Sequence, residues 1–248
     1  MTQRESNFAK YLSLKGEKFS NELHDYNHSY FTSLNGNYFA IACAISLCWT
    51  GHAKYEDAFV TYASSYIQGV TTKNHSISHE YSKRFGIEEL DSTLTNFRLF
   101  YKEIKHLLPD FNTCSIHDIN RLQQRLLNLL NQLRTSRKII GIGPWLFLGP
   151  FKIILIDQKR LWDNDGINSI ILPTGMEVDR GINRLINEEY IFMNDFDSNW
   201  LKEATGSLLD NYATCQMVHT HIIKIAELSQ SSALHINSSL YEYGKDLI

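Results

Sequence analysis

The chain is poor in the residues that most often decide a class at sight. Cysteine occurs four times, at Cys43, Cys48, Cys114 and Cys215, and never as CxxC. That spacing excludes a dense disulfide scaffold and the usual zinc ribbons, so the thiols are expected to be buried apolar side chains. Proline also occurs only four times, which permits long helices. No apolar run approaches the ~20 residues of a membrane-spanning helix. The longest, Tyr38 to Trp49, is interrupted by Ser46 and reads as a core helix. Residues 1–20 are polar and charged, unlike a secretory leader. The net charge of −3 excludes a polycation. No P-loop, G-x-S-x-G or HExxH pattern is present, nor a Ser/His/Asp or Cys/His arrangement. A cytoplasmic protein without a membrane association is the expectation.

What is present is helix. The 248 residues are enough for one large domain or two small ones, and no internal repeat or low-complexity linker divides them. Apolar periodicity predicts helices over 37–50, 55–68, 88–107, 116–134, 175–188, 197–209, 211–229 and 236–245, with part of 4–20 helical as well. The 116–134 pattern is the clearest. Ser115 and Asp118 form a capping pattern, and Ile119, Leu122, Leu126, Leu129, Leu130 and Leu133 make one stripe. Thr174 and Glu177 form a second capping box. A further helix is expected to begin near Pro150, which suits a first helical position. Residues 21–36 are polar and aromatic and end at an Asn35-Gly36 turn signal. Ser169–Leu172 is the single strand candidate. The fold class expected is all-α: one domain over 1–248, with a division into lobes 1–114 and 115–248, and a cleft between them, as the alternative.

Charge is distributed unevenly. Residues 121–160 hold eight basic side chains against one acidic, whereas 161–248 hold five basic against thirteen acidic. The basic stretch surrounds Ile139-Ile140-Gly141-Ile142-Gly143-Pro144-Trp145. Two glycines about one apolar residue let a backbone turn tightly and come close to a ligand, and exposed amides in such a turn can hold a phosphate. The bland alternative is two helices with solvated faces.

Gly141-Ile142-Gly143-Pro144-Trp145 follows a helix and precedes Leu172-Pro173 and Asp179. In this it resembles the helix-hairpin-helix DNA glycosylase superfamily, its alkyladenine and 8-oxoguanine branches most of all. The resemblance covers about residues 137–186. It implies a DNA partner and a role in DNA repair. The hairpin, with Lys138, Gly141, Ile142, Gly143 and Lys152, would grip the backbone. A flipped base would enter a pocket edged by Trp145 and Trp162, and Asp179 would assist hydrolysis of the N-glycosidic bond. Neither a metal nor another cofactor is implied. Four features depart from the family pattern. Phe147 is bulky where a small residue is usual, and Gly149-Pro150 is expected to break or kink the second helix. About ten extra residues precede Asp179. Trp145 stands where bifunctional members carry lysine, so a lyase step is not expected.

Two other readings compete. One is a non-enzymatic helical binding module, with nucleic acid or protein as partner, in which Asp179 is a helix-dipole partner; the rings Tyr26, Tyr30, Phe31 and Tyr38 around the Asn35-Gly36 turn could stack on bases, with core packing the alternative, above all at Phe31, Tyr38 and Trp145. The other is a helical metal enzyme. Its ligands would come from His24-x3-His28, His75-x3-His79 and His219-x-His221, whose spacing suits metal ligation where the stretch is helical.

Overall fold

Helix α5 (Ile116–Thr135) shows how directly sequence becomes structure here. The Ser115 hydroxyl accepts the Asp118 amide at 3.2 Å while the Asp118 carboxylate accepts the Ser115 amide at 3.0 Å, so two orphan donors of the first turn are satisfied reciprocally. Ile119, Leu122, Leu126, Leu130 and Leu133 are buried along one stripe.

The computed structural model describes residues 3–34, 36–48, 56–70, 90–174, 176–188 and 208–245. Among the described residues the regular structure is helical throughout. The remaining helices are α1 (Gln3–Ser33), α2 (Tyr38–Cys48), α3 (Glu56–Gln68), α4 (Leu90–Ile104), α6 (Pro144–Asp157), α7 (Met176–Asn187), α8 (Leu208–Ser229) and α9 (Ala233–Lys245), with 3-10 turns at Lys159–Leu161 and Asp165–Ser169. The all-α expectation holds. None of the described helices is long and apolar enough to cross a membrane. The strand candidate Ser169–Leu172 is instead the end of a 3-10 turn followed by irregular chain. Its apolar character is explained by burial of Ile170, Ile171 and Leu172. The expected helix over 197–209 lies mostly, and the Thr174–Glu177 capping box partly, outside the described residues.

Two helices differ from expectation. α1 continues through the polar stretch 21–33, because its buried face mixes Leu12 and Tyr30 with small and polar groups, Ala9, Gly16, Ser20 and Asn27. α6 begins at Pro144, where a missing amide hydrogen costs nothing, and runs on through Gly149 and Pro150. Packing overrides the proline: residues 147–158 are all buried. Gly149 serves this packing, since a Cβ there would lie 1.9 Å from the Ser46 Oγ of α2.

The chain divides into two compact units, residues 1–26 with 155–248 (unit 1) and residues 27–154 (unit 2); the divisions fall inside α1 and α6. In unit 2, α2 packs on α3 and α3 on α4. Rings run through its core in series: Phe31 on Tyr38 at 4.1 Å, Tyr38 on Phe111 at 5.4 Å, Phe111 on Phe39 at 6.2 Å, Phe39 on Phe151 at 6.0 Å. Burying each such phenylalanine stabilises by roughly 2 kcal/mol. In unit 1, α9 packs on α7 and α8. Contact there depends on close backbone approach: a Cβ at Gly16 would meet the His235 carbonyl oxygen at 1.8 Å, and one at Gly181 the Leu240 carbonyl oxygen at 2.4 Å.

Candidate functional site

The turn between α5 and α6 belongs to unit 2. α5 ends on a left-handed residue, Arg137 at φ +56°. The Arg137 amide donates to Arg134 O at 2.9 Å and the Lys138 amide to Leu133 O at 3.0 Å, the pattern by which a helix C-terminus satisfies its last carbonyls. Ile139 and Ile142 are then buried and anchor the turn, while the buried Asn96 side chain of α4 donates to the Ile140 carbonyl. Gly141, at φ +88°, takes the conformation glycine favours. A Cβ at Gly143 would meet nothing within 4 Å, so the backbone there faces open space. The first bond inside α6 is Phe147 N to Gly143 O, which leaves the Trp145 and Leu146 amides ahead of it, at the positive end of the helix.

Of the hairpin residues expected to touch a phosphate backbone, Lys138 and Gly141 are exposed and Gly143 is partly so, whereas Ile142 is an internal anchor. Lys152 is only 4 % exposed and lies in the packed body of α6. The exposed cations of the turn are Arg137 and Lys138, with Arg134 half-buried in the last turn of α5; Arg121 and Arg125 are exposed further back along that helix. Trp145 is half-buried in the first turn of α6.

Asp179 and Trp162 belong to unit 1. Asp179 is half-buried in the first turn of α7, and its Oδ1 is shielded from solvent. It lies close to Cys215, whose thiol meets the Thr174 hydroxyl at 3.4 Å. Burial pushes the Cys215 thiol above its ordinary range; the Asp179 charge adds to this, and the Thr174 hydrogen bond opposes it. Trp162 is fixed by its indole N–H, which donates to Leu155 O at 2.8 Å.

Unit 1 also holds a polar cavity of about 610 Å³, lined among others by Glu17, Asn21, Lys159, Trp162, Asp163 and His235. His235 packs edge-on against Trp162 at 5.0 Å. Burial pulls its imidazole below the ordinary range, against the opposing pull of Glu17 and Asp163. Asn168 braces the cavity wall: its Oδ1 accepts the Ala233 amide at 2.8 Å and its carbonyl meets His219 Nε2 at 2.9 Å. Gln230, which follows α8 and also lines the cavity, adopts φ +54°, an uncommon backbone for a side chain of this type. Nothing in the sequence signals this cavity, because its lining comes from three separate stretches.

The histidine pairs separate. His75 and His79 lie outside the described residues. His219 and His221 are both buried and, two apart on a helix, do not share a face. His24 and His28 do share one, because α1 is helical through both.

No protein-family model matches this chain, and no curated protein or solved structure matches it.

Proposed function

We propose that this chain binds nucleic acid through the hairpin 136–143 and acts as a monofunctional DNA N-glycosylase, with Asp179 as its acid-site carboxylate. The observation that carries the reading is the hairpin itself. Exposed Arg137 and Lys138 flank glycines whose backbone is open to a close neighbour, and the free amides of α6 add positive potential to the same turn. A phosphate backbone is the ligand such a surface suits. In the reaction the bond between C1′ and the base nitrogen breaks and its electron pair leaves with the base. Water supplies the hydroxyl to C1′ and a proton to the departing base. The Asp179 carboxylate stabilises the positive charge that develops on the sugar. The position just after the glycines, where a Schiff-base lysine would stand, is Trp145, and Lys152 is buried.

The test is release of a damaged base. Duplexes carrying an alkylated or oxidised purine are incubated with wild type and with Asp179→Asn, and abasic sites are counted after alkaline cleavage. Base release by wild type, reduced at least a hundredfold in the variant without loss of duplex binding, supports the reading. Equal activity in both rejects Asp179 as the catalytic carboxylate. The shielding of Asp179 Oδ1 beside Thr174 and Cys215 favours a second reading, a helical binding module in which Asp179 is structural. Duplex binding with no base released from any substrate would support that module.

A further inference from the structure

The polar cavity lies wholly within unit 1. Glu17 and Asn21 reach it from α1, Lys159, Trp162 and Asp163 from the stretch after α6, and His235 from α9. At about 610 Å³ it has the size of a small-molecule site without the usual apolar lining. Of its lining residues only Trp162 and Ile167 are apolar. An apolar occupant would leave the polar groups dry and unpaired, so the cavity suits a ligand that is itself rich in hydrogen-bonding groups.

Charge narrows the choice. Among the described residues the carboxylates of Glu17 and Asp163 make no salt bridge and no hydrogen bond. Both act on the His235 imidazole, so they border the same part of the cavity. Burial keeps that imidazole uncharged at about pH 7, and it brings no opposing charge. Lys159 is drawn to Asp25 at 3.8 Å, and Asp25 does not line the cavity. The Lys159 ammonium lies 5.5 Å above the centre of the Trp162 ring, so this wall already accommodates a positive charge. Asn21 stands one turn from Glu17, and its Nδ2 donates to the Glu17 carbonyl at 3.0 Å, which leaves its Oδ1 as a further acceptor. Glu17, Asp163 and His235 do not converge to the spacing of metal ligands, which favours an extended molecule over a bare ion.

From this cavity we propose that unit 1 binds an organic cation with N–H groups at more than one centre, a linear polyamine being the class that fits. The Glu17 and Asp163 carboxylates accept from separate ammonium groups, and Asn21 Oδ1 accepts beside Glu17. Charge-assisted hydrogen bonds of this kind are roughly twice as strong as neutral ones. The same two carboxylates repel an anion, and a neutral polyol leaves their charge unanswered. Lys159 is a competitor, because its ammonium repels the ligand and occupies the Trp162 wall. The site does not rest on the nucleic-acid reading, whose hairpin is in unit 2.

Full-length protein freed of nucleic acid is titrated with spermidine by calorimetry at low salt, beside glucose and inorganic phosphate. One spermidine per chain is expected, bound more weakly as salt rises. Glu17→Gln and Asp163→Asn are each expected to bind roughly tenfold more weakly, whereas Lys159→Gln is expected to bind about threefold more tightly. Glu103→Gln removes an exposed carboxylate of α4 in unit 2 and is expected to bind as wild type does. All four positions are exposed, so the variants keep the fold, which circular dichroism verifies. The proposal is overturned if spermidine does not bind at low salt, or if glucose or phosphate binds as tightly. It is overturned equally if Glu103→Gln weakens binding as much as Glu17→Gln does, or if Lys159→Gln weakens it.

Discussion

The two units of the chain differ in the side chains that fill their cores and in charge. Unit 2 has thirteen basic residues against nine acidic; unit 1 has eleven against eighteen. The unit 2 core is bulky and aromatic, with Phe39, Phe59, Phe97, Phe100, Phe147 and Phe151 fully buried. Unit 1 relies on glycine contacts at Gly16 and Gly181 and buries Ser20, Asn237, Ser238 and Ser239 among its helices. Large rings thus fill the core of unit 2, whereas aliphatic side chains such as Ile182, Leu185, Ile222 and Leu240, together with close backbone approach at Gly16 and Gly181, make up that of unit 1, and the exposed cations Arg137 and Lys138 belong to unit 2. The two are therefore expected to fail in different ways.

The largest effect is expected from emptying the aromatic core. Phe151→Ala removes a ring in contact with Phe39 and Phe147 and should cost about 4 kcal/mol in denaturant unfolding. Overfilling unit 1 comes next. Gly16→Ala would set a Cβ 1.8 Å from a backbone oxygen, and the forced separation should cost roughly 3 kcal/mol. If Gly16→Ala were neutral, the account of close backbone approach in unit 1 would fail.

pH should separate the units further. Burial lowers the proton affinity of His219, against the Asn168 carbonyl, and of His235, against Glu17 and Asp163. A histidine whose folded pKa is depressed takes up its proton more readily when unfolded. Stability is therefore lost as pH falls below the ordinary imidazole value of about 6.5. The urea midpoint should drop between about pH 7.5 and about pH 5.5, and less so in His219→Gln; an equal drop in that variant would remove His219 from the explanation.

The smallest effect is the most discriminating for function. Arg137 occupies a left-handed position at φ +56°, a strain of roughly 1 kcal/mol for a residue with a side chain. Arg137→Gly should raise the unfolding free energy by about that amount and yet weaken duplex binding by removing a cation. Stability and binding moving in opposite directions would mark Arg137 as a contact residue; unchanged binding would mark it as a helix cap alone.

How much of this was legible in the sequence depended on what each helix buries. α5 was readable because its cap and its leucine stripe are both local signals. α1 was not readable beyond its first part, since a face of Ala9, Gly16, Ser20 and Asn27 carries little apolar signal. α6 was misplaced because Pro144 and Pro150 compete for the first helical position; only the burial of residues 147–158 shows that the second is carried inside. The glycines mark a turn between α5 and α6, but Lys152 does not surface beside it: it stands within the apolar run Phe151 to Ile156 and is buried with it. The His24–His28 spacing was visible and its helix was not.

The most direct test of the central claim is binding to a labelled duplex containing an abasic-site mimic at two salt concentrations, for wild type and Arg137→Glu/Lys138→Glu. The account predicts wild-type binding that weakens steeply with salt. In the variant, binding should be weaker at low salt and its log–log salt dependence shallower by about two phosphate contacts. Absence of binding at low salt, or an unchanged salt slope in the variant, would contradict it.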